Sequence, residues 1–290
     1  MAVFEFKVEV ALGAVPAIEE LLGEREEQHL MVLEDKPSGR AWLTGYYEST
    51  DAAKQAWKQF SPALEPEWLA TEPAIAELED KDWKESYKEH FKAWKFGRLH
   101  WVPVWERESF NLPAGDEILW LDPGMAFGTG NHETTRLVVE RLVTLAQERG
   151  AGGRVIDAGC GSGILALSAV KLGFKAVAAF DNDPLAVEIS RENADLNQLR
   201  GKVEFYVGDL VTGLAGRQTE VLLANIQADV LMKFAGELLG AIAPTGVLVM
   251  SGILATELAT VRATFVAAAP GWSVDTRTMG EWSDLVVVRP

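Results

Sequence analysis

"VIDAGCGSGILAL", residues 155–167, places glycines at 159, 161 and 163 between two apolar runs of different rhythm. The first run, with Arg154 before it, is short and β-branched and reads as a strand. The second, through Gly173, is longer and reads as a helix. A strand that turns through several glycines into a helix brings bare backbone and free helix-start N–H groups to one point. In an open α/β sheet, ligands sit there, beyond the carboxyl ends of the strands and near the reversal in strand order.

The same alternation extends in both directions. "AVAAFD" (176–181) precedes the helical "PLAVEISRENADLN" (184–197), and "KVEFYVGD" (202–209) reads as another strand. "EVLLANI" (220–226) and "GVLVMSG" (246–252) are strands, each followed by a helical stretch. Upstream, "LHWVPVW" (99–105) and "EILWLDPG" (117–124) read as strands. "HETTRLVVERLVTLAQERG" (132–150) reads as a helix with Leu137, Val138, Leu142 and Leu145 on one side. The closing "WSVDTRTMGEWSDLVVVRP" (272–290) has the form of a hairpin. Strand–helix alternation predicts a mostly parallel sheet covered on both faces, with room for an antiparallel strand at the end.

Before residue 66 the pattern is different. "FEFKVEVAL" alternates with period two, "PAIEELLGE" reads as a helix with Pro16 in its first turn, and "LMVLED" and "AWLTGYYE" are strands. "TDAAKQAWKQF" follows as a helix with Thr50 or Asp51 as its cap. Residues 1–65 therefore form a small α+β unit without a chemical motif. Residues 66–97 read as a linker helix, on which Trp83, Tyr87, Phe91 and Trp94 form one aromatic stripe that packs against a domain. Residues 98–290 make the larger α/β domain.

The chain has 290 residues, 48% of them hydrophobic, enough for two ordinary domains. Its 27 basic and 43 acidic side chains leave a net charge of −16, which repels phosphate backbones and argues against direct nucleic-acid binding. One cysteine, Cys160, makes neither a disulfide framework nor a thiolate-rich metal site within the chain. His29, His90, His100 and His132 lack ligand spacing, so no metal is expected. No signal-like or membrane-length apolar run is present, and the expected location is cytoplasmic, away from membranes.

The glycine spacing narrows the ligand. A dinucleotide fold uses G-x-G-x-x-G, whereas Gly159, Gly161 and Gly163 give G-x-G-x-G with Asp157 just ahead. Asp181 ends the next strand, 22 residues after Gly159, where a carboxylate accepts two ribose hydroxyls. This pattern resembles the nucleoside-binding motif of S-adenosylmethionine-dependent methyltransferases. Asp183, beside Pro184, reads as a helix cap. Asp209 stands where such enzymes place a group facing adenine, and it equally suits an ordinary strand-to-loop turn. Asn225 stands where amino-methyltransferases carry an Asn or Asp, here without the two prolines that commonly follow. Its amide oxygen, with a nearby carbonyl, can accept an amine's N–H bonds and aim the lone pair; a cap or turn role is the alternative.

"DPGMAFGTGNHETT" (122–135), "IDAGCGSGIL", "FDNDPLA", "ENADLN", "ANIQADVL" and "SGIL", in this order, closely resemble the ribosomal protein L-eleven methyltransferases, the PrmA family. The upstream "DWKESYKEHFKAWKFGRLHWVPVW" and late "GEW" are similar to that family too. The resemblance covers roughly residues 80 to 290. It implies an α/β fold: a Rossmann-like catalytic domain preceded by a small ferredoxin-like domain that holds the substrate. It also implies S-adenosylmethionine as cofactor and methylation of lysine side chains and the α-amine of a basic large-subunit ribosomal protein. Thr135, Gly159, Gly161, Asp181, Asp209 and Asn225 would then contact the cofactor, with Asn225 also catalytic. Cys160 and Asn182 are small departures from the pattern. Residues 122–135 would be a lid in which Phe127 excludes water and Gly128 and Gly130 let the loop close. His132 is either a general base or a residue ordering the helix start.

Other readings compete. They are methylation of another basic protein, of a small molecule or amine, or of a nucleic-acid base, the last disfavoured by the acidic surface; a non-catalytic ribosome-assembly factor; and a nicotinamide-dependent dehydrogenase disfavoured by the glycine spacing.

Overall fold

The computed structural model describes residues 3–24, 30–35, 39–78, 93–121 and 132–290. The chain divides into two compact units, Met1–His90 and Phe91–Pro290. In the first, β1 (Val3–Val10) turns Phe6, Val8 and Val10 into a core and leaves Glu5, Lys7 and Glu9 partly exposed. That period of two is what makes the segment a half-buried strand. It is followed by α1 (Val15–Glu24), β2 (Leu30–Asp35), β3 (Arg40–Tyr47), α2 (Thr50–Phe60) and β4 (Ala74–Leu78). The antiparallel sheet order is β2-β3-β1-β4, which with the β-α-β-β-α-β succession is a ferredoxin-like fold. Ile18, Leu43, Ala53 and Phe60 close its core from both helices and β3.

Two expectations are corrected in this unit. The cap of α2 is Ser49, whose Oγ accepts the Ala52 N–H at 3.1 Å from extended backbone; Thr50 and Asp51 already lie inside the helix. Ala74–Leu78, expected in a linker helix over residues 66–97, is a strand paired with Val3–Lys7 of β1. Without it the central β1 would be an open edge, so ladder pairing overrides the helical propensity of "AIAEL". Trp94 likewise lies on a strand. Its proposed stripe partners Trp83, Tyr87 and Phe91 lie outside the described residues.

The second unit opens with β5 (Trp94–Phe96), β6 (Leu99–Pro103) and β7 (Glu117–Leu121), which form a separate three-stranded sheet. Its main sheet begins after α3 (Glu133–Arg149) and runs β8 (Arg154–Ala158), α4 (Ile164–Leu172), β9 (Ala176–Asp181), α5 (Pro184–Leu196) and β10 (Val203–Val207). It continues with β11 (Thr219–Asn225), α6 (Ala228–Lys233), α7 (Ala235–Gly240), β12 (Ile242–Leu254), α8 (Leu258–Ala268), β13 (Ser273–Met279) and β14 (Trp282–Val288). The order is β10-β9-β8-β11-β12-β14-β13, parallel except for the final hairpin. The chain leaves β8 to one side and returns to β11 on the other, so the switch point lies between these two strands.

Alternation along the strands fills two cores. Val155, Val221, Leu223 and Val249 join residues of α3 and α4 on one face. Ile156, Leu222, Leu248 and Met250 join residues of α6, α7 and α8 on the other. The fully buried Asp284 of β14 fixes α3 to the hairpin. It accepts Arg141 Nε and Nη2 at 2.8 and 2.9 Å, and the N–H and Nε of Arg277 at 2.8 and 3.0 Å. A buried carboxylate so enclosed is paired on both oxygens, which is the condition for tolerating its desolvation. Among the described residues no helix is long and apolar enough to cross a membrane.

Candidate active site

The turn from β8 into α4 carries φ of +76°, +52° and +77° at Gly159, Gly161 and Gly163. Side chains rarely adopt such angles, so the three-glycine spacing follows from the backbone path. Space excludes side chains as well. A Cβ on Gly163 would stand 2.9 Å from Ser190 Oγ, and one on Gly159 only 2.5 Å from Ile226 Cγ2. The loop is therefore a bare cradle pressed between α5 and the end of β11.

Asp181, at the end of β9, reaches into this cradle. Its Oδ2 accepts the Gly161 N–H at 2.9 Å, and its Oδ1 accepts the Asp183 N–H at 3.1 Å. Asp183 in turn caps α5 through Leu185 N–H at 2.8 Å, as its place beside Pro184 suggested. Two residues of α5 complete the loop without having been anticipated. Ser190 Oγ donates to Gly161 O at 2.9 Å, and Asn193 Nδ2 donates to Ser162 O at 2.9 Å. Their spacing of three on a helix places both on one face, the only trace of this role in the sequence.

Asp157 lies beneath the loop, fully buried. Its Oδ2 accepts the Ala166 N–H at 3.1 Å, while Oδ1 has no partner among the described residues. Burial pushes its carboxyl up to about 7; the Ala166 hydrogen bond opposes this and the charge of Asp181 adds to it. Burial, assisted by Asp157, likewise pushes the Cys160 thiol up to about 12, leaving it an unreactive, protonated core group.

Asp209 forms its own turn. Oδ1 accepts the N–H groups of Val211 and Thr212 at 3.0 and 2.7 Å and the Thr212 hydroxyl at 2.8 Å. These bonds, those of Thr212 first, hold its carboxyl below the ordinary range.

Across the switch point, Asn225 ends β11 beside Ser251 of β12. Its Nδ2 donates to Thr135 Oγ1 at 3.3 Å, joining residues 90 positions apart. Thr135 is buried in the first turn of α3, and its N–H reaches His132 O at 3.1 Å. His132 is the helix cap: its Nδ1 faces Thr134 Oγ1 at 2.9 Å and accepts the Thr134 N–H at 3.4 Å. Its ring meets Trp282 edge-on with centroids 4.9 Å apart. Of its two readings, the helix-ordering one describes these contacts. Trp282 belongs to the late "GEW", a motif to which the sequence attached no role. Phe127, Gly128 and Gly130 of the expected lid lie outside the described residues.

The cradle fits a nucleoside: the backbone is bare, and one carboxylate, Asp181, stands at the ribose distance along the chain. The Asn225–Thr135 pair lies on the other side of the switch point.

Comparison with known proteins shows the family. A family model described as ribosomal protein L11 methyltransferase (PrmA) matches residues 10–290. A protein of that name from Pelobacter propionicus is 41% identical over 249 residues, covering 83% of this chain and 79% of its own. Another from Geobacter sulfurreducens is 43% identical over 220 residues, covering 74% and 68% respectively. The crystal structure of a ribosomal protein L11 methylase from Lactobacillus delbrueckii subsp. bulgaricus superposes with a TM-score of 0.59 at 30% identity. It covers 69% of this chain and 99% of that one. With its three-glycine cradle and the Asn225–Thr135 pair beside it, the chain belongs to the ribosomal protein L11 methyltransferase family.

Proposed function

We propose that this methyltransferase carries methyl groups from S-adenosylmethionine to lysine side chains and the N-terminal α-amine of ribosomal protein L11. The observation that carries this reading is the Asn225 amide, pinned through Nδ2 by Thr135 at the strand end beside the glycine cradle. With its N–H side engaged, the amide presents Oδ1 as an acceptor for an incoming amine.

When bound, the cofactor supplies an electrophilic sulfonium methyl. Gly159, Gly161 and Gly163 would let it lie against the backbone, and Asp181 would accept its ribose hydroxyls. The Asp209 turn would border the adenine side, and Thr135 would contribute a hydroxyl on the methionine side. Asn225 Oδ1 accepts an N–H of the substrate amine and directs its lone pair along the displacement axis. A lysine, with an ordinary pKa of ~10.4, must reach the site neutral, which entry into a desolvated pocket favours. Each transfer would leave the amine as an ammonium, which must shed a proton before it could accept another methyl group.

The ferredoxin-like unit suits the capture of a basic protein. Residues 1–78 hold fifteen acidic and six basic side chains, more than half of the net −16 of the whole chain. The same charge opposes direct RNA binding, and the enzyme is expected to act in the cytoplasm.

The test is mass spectrometry of unmethylated L11 after incubation with the enzyme and S-adenosylmethionine. Whole-methyl increments on lysines or the N-terminus are expected. No increment, with cofactor binding shown by calorimetry, would retain the methyltransferase and discard this substrate.

A further inference from the structure

Ile226 follows Asn225 and is held from two sides. Its Cγ2 lies so close to the first cradle glycine that a Cβ on Gly159 would stand 2.5 Å away. On its other side the Ile226 peptide is laid against Gly252, which has a φ of +82°. A Cβ there would stand 2.3 Å from the Ile226 carbonyl oxygen, 2.8 Å from its carbon and 3.2 Å from its nitrogen. Gly252 occupies the irregular stretch between Met250 and Ile253 where β12 shifts register against β14. Asn225 and Ser251 are partners in the parallel ladder, so the two strand ends advance side by side into this contact.

Ile226 thus touches the cradle with its side chain and the β12 bulge with its main chain. Asn225 is the chain neighbour of the residue under both restraints. We propose that Ile226, wedged between Gly159 and Gly252, is the spacer that sets the distance between methyl donor and amine acceptor. Gly252 and Ile226 are accordingly positioning residues for the attack. This rests on the reading of Asn225 as the amine acceptor.

In-line displacement requires reacting atoms about 3–3.5 Å apart and aligned, and an error of about 1 Å costs on the order of a hundredfold. A methyl group at position 252 has to push the Ile226 carbonyl by about that amount to restore ordinary contact. The contact is with main chain, so no change of rotamer at Ile226 relieves it. Removing the branch of Ile226 has the complementary effect, leaving the cradle and the acceptor unspaced. The bonds holding Asp181 to Gly161 and Asp183 involve neither residue, so that side of the cradle keeps its own restraints.

The experiment compares wild type, Gly252→Ala, Ile226→Ala, Ile226→Val and Asn225→Ala. It measures kcat and KM on unmethylated L11 and the dissociation constant of S-adenosylmethionine by calorimetry. Gly252→Ala and Ile226→Ala are expected to lower kcat at least tenfold while KM and cofactor affinity stay within about threefold of wild type. Ile226→Val, which keeps both γ carbons, is expected to retain kcat within threefold. If Asn225→Ala keeps full turnover, the acceptor assignment itself is wrong. If Asn225→Ala loses turnover while Gly252→Ala and Ile226→Ala keep it, the spacer is overturned. Equal losses of cofactor affinity and kcat would also overturn it, since the contact would then only support the cradle. Should Gly252→Ala fail to fold by circular dichroism, the contrast between Ile226→Ala and Ile226→Val decides.

Discussion

Replacing Asp157 by Asn puts a similarly shaped, uncharged amide in place of a titratable carboxyl, and its consequence depends on pH. Asp157 Oδ2 receives the Ala166 N–H, an acceptor role that an Asn oxygen keeps, and Oδ1, fully buried, has no partner among the described residues. Burial raises the carboxyl from 3.8 to about 7 in the folded chain. The folded state therefore holds this proton more tightly than the unfolded state does. The resulting stabilisation is complete below about pH 4 and is lost as pH rises through about 7, amounting to about 4 kcal/mol over that window. Between pH 5 and pH 8 the loss is about 3 kcal/mol. The Asn variant has no proton to lose, so its stability relative to wild type should improve by that amount from pH 5 to pH 8. Urea unfolding of both proteins without cofactor, followed by tryptophan fluorescence at pH 5, 6.5 and 8, measures the difference. Every other titrating group is common to both chains and cancels. Parallel pH profiles would show that Asp157 is ionised throughout, and the account of its burial would be refuted.

Asp181→Asn should weaken S-adenosylmethionine binding at least tenfold in calorimetry, because the charge-assisted ribose bonds are lost, each contributing about 1.5–3 kcal/mol. Thr135→Val frees the Asn225 amide and should lower kcat several-fold, while urea stability falls by only about 1 kcal/mol; an unchanged kcat would detach Thr135 from the acceptor. Asp284→Ala leaves Arg141 and Arg277 without their buried partner and should cost roughly 3–5 kcal/mol in denaturant unfolding. Capture of L11 in stopped flow should slow as salt rises, since an enzyme of net −16 draws a basic substrate by long-range attraction. A rate indifferent to salt would remove that role from the acidic surface.

The larger fold was legible because its strands announce themselves in order. Each of β8 to β11 is a short, largely apolar run closed by Gly, Asp or Asn, while β12 runs from Ile242 to Leu254, beyond the expected 246–252 at both ends; helical stretches separate most of them. Membership of a sheet was not legible. "LHWVP" and "EILWL" carry the same apolar signature as the core strands, yet they pair with each other and with Trp94–Phe96. Periodicity reports that a segment is a strand, while its partner is chosen by contacts distant in the chain. "AIAEL" shows the stronger form of this. Ala, Glu and Leu favour a helix locally, and only the exposed edge of β1, some 70 residues earlier, makes the segment a strand.

The same distinction divides the candidate site. Its binding half is local: the cradle, Asp157 and Asp181 fall within 25 residues and are joined by one strand–helix–strand unit, so glycine spacing and one carboxylate revealed them. The half that would react is assembled by the sheet. Asn225 meets Thr135 across 90 positions, and Ile226 meets glycines on both sides of it in the sequence, at 159 and 252. Gly252 could be seen as a glycine in "SGIL", but the reason for it is the peptide of a residue 26 positions earlier. A binding loop can be recognised from its own backbone demands, because the residue that must be bare stands within the motif. A spacer cannot, because what it must fit is the separation of two strand ends, and that length exists only after the parallel ladder has formed.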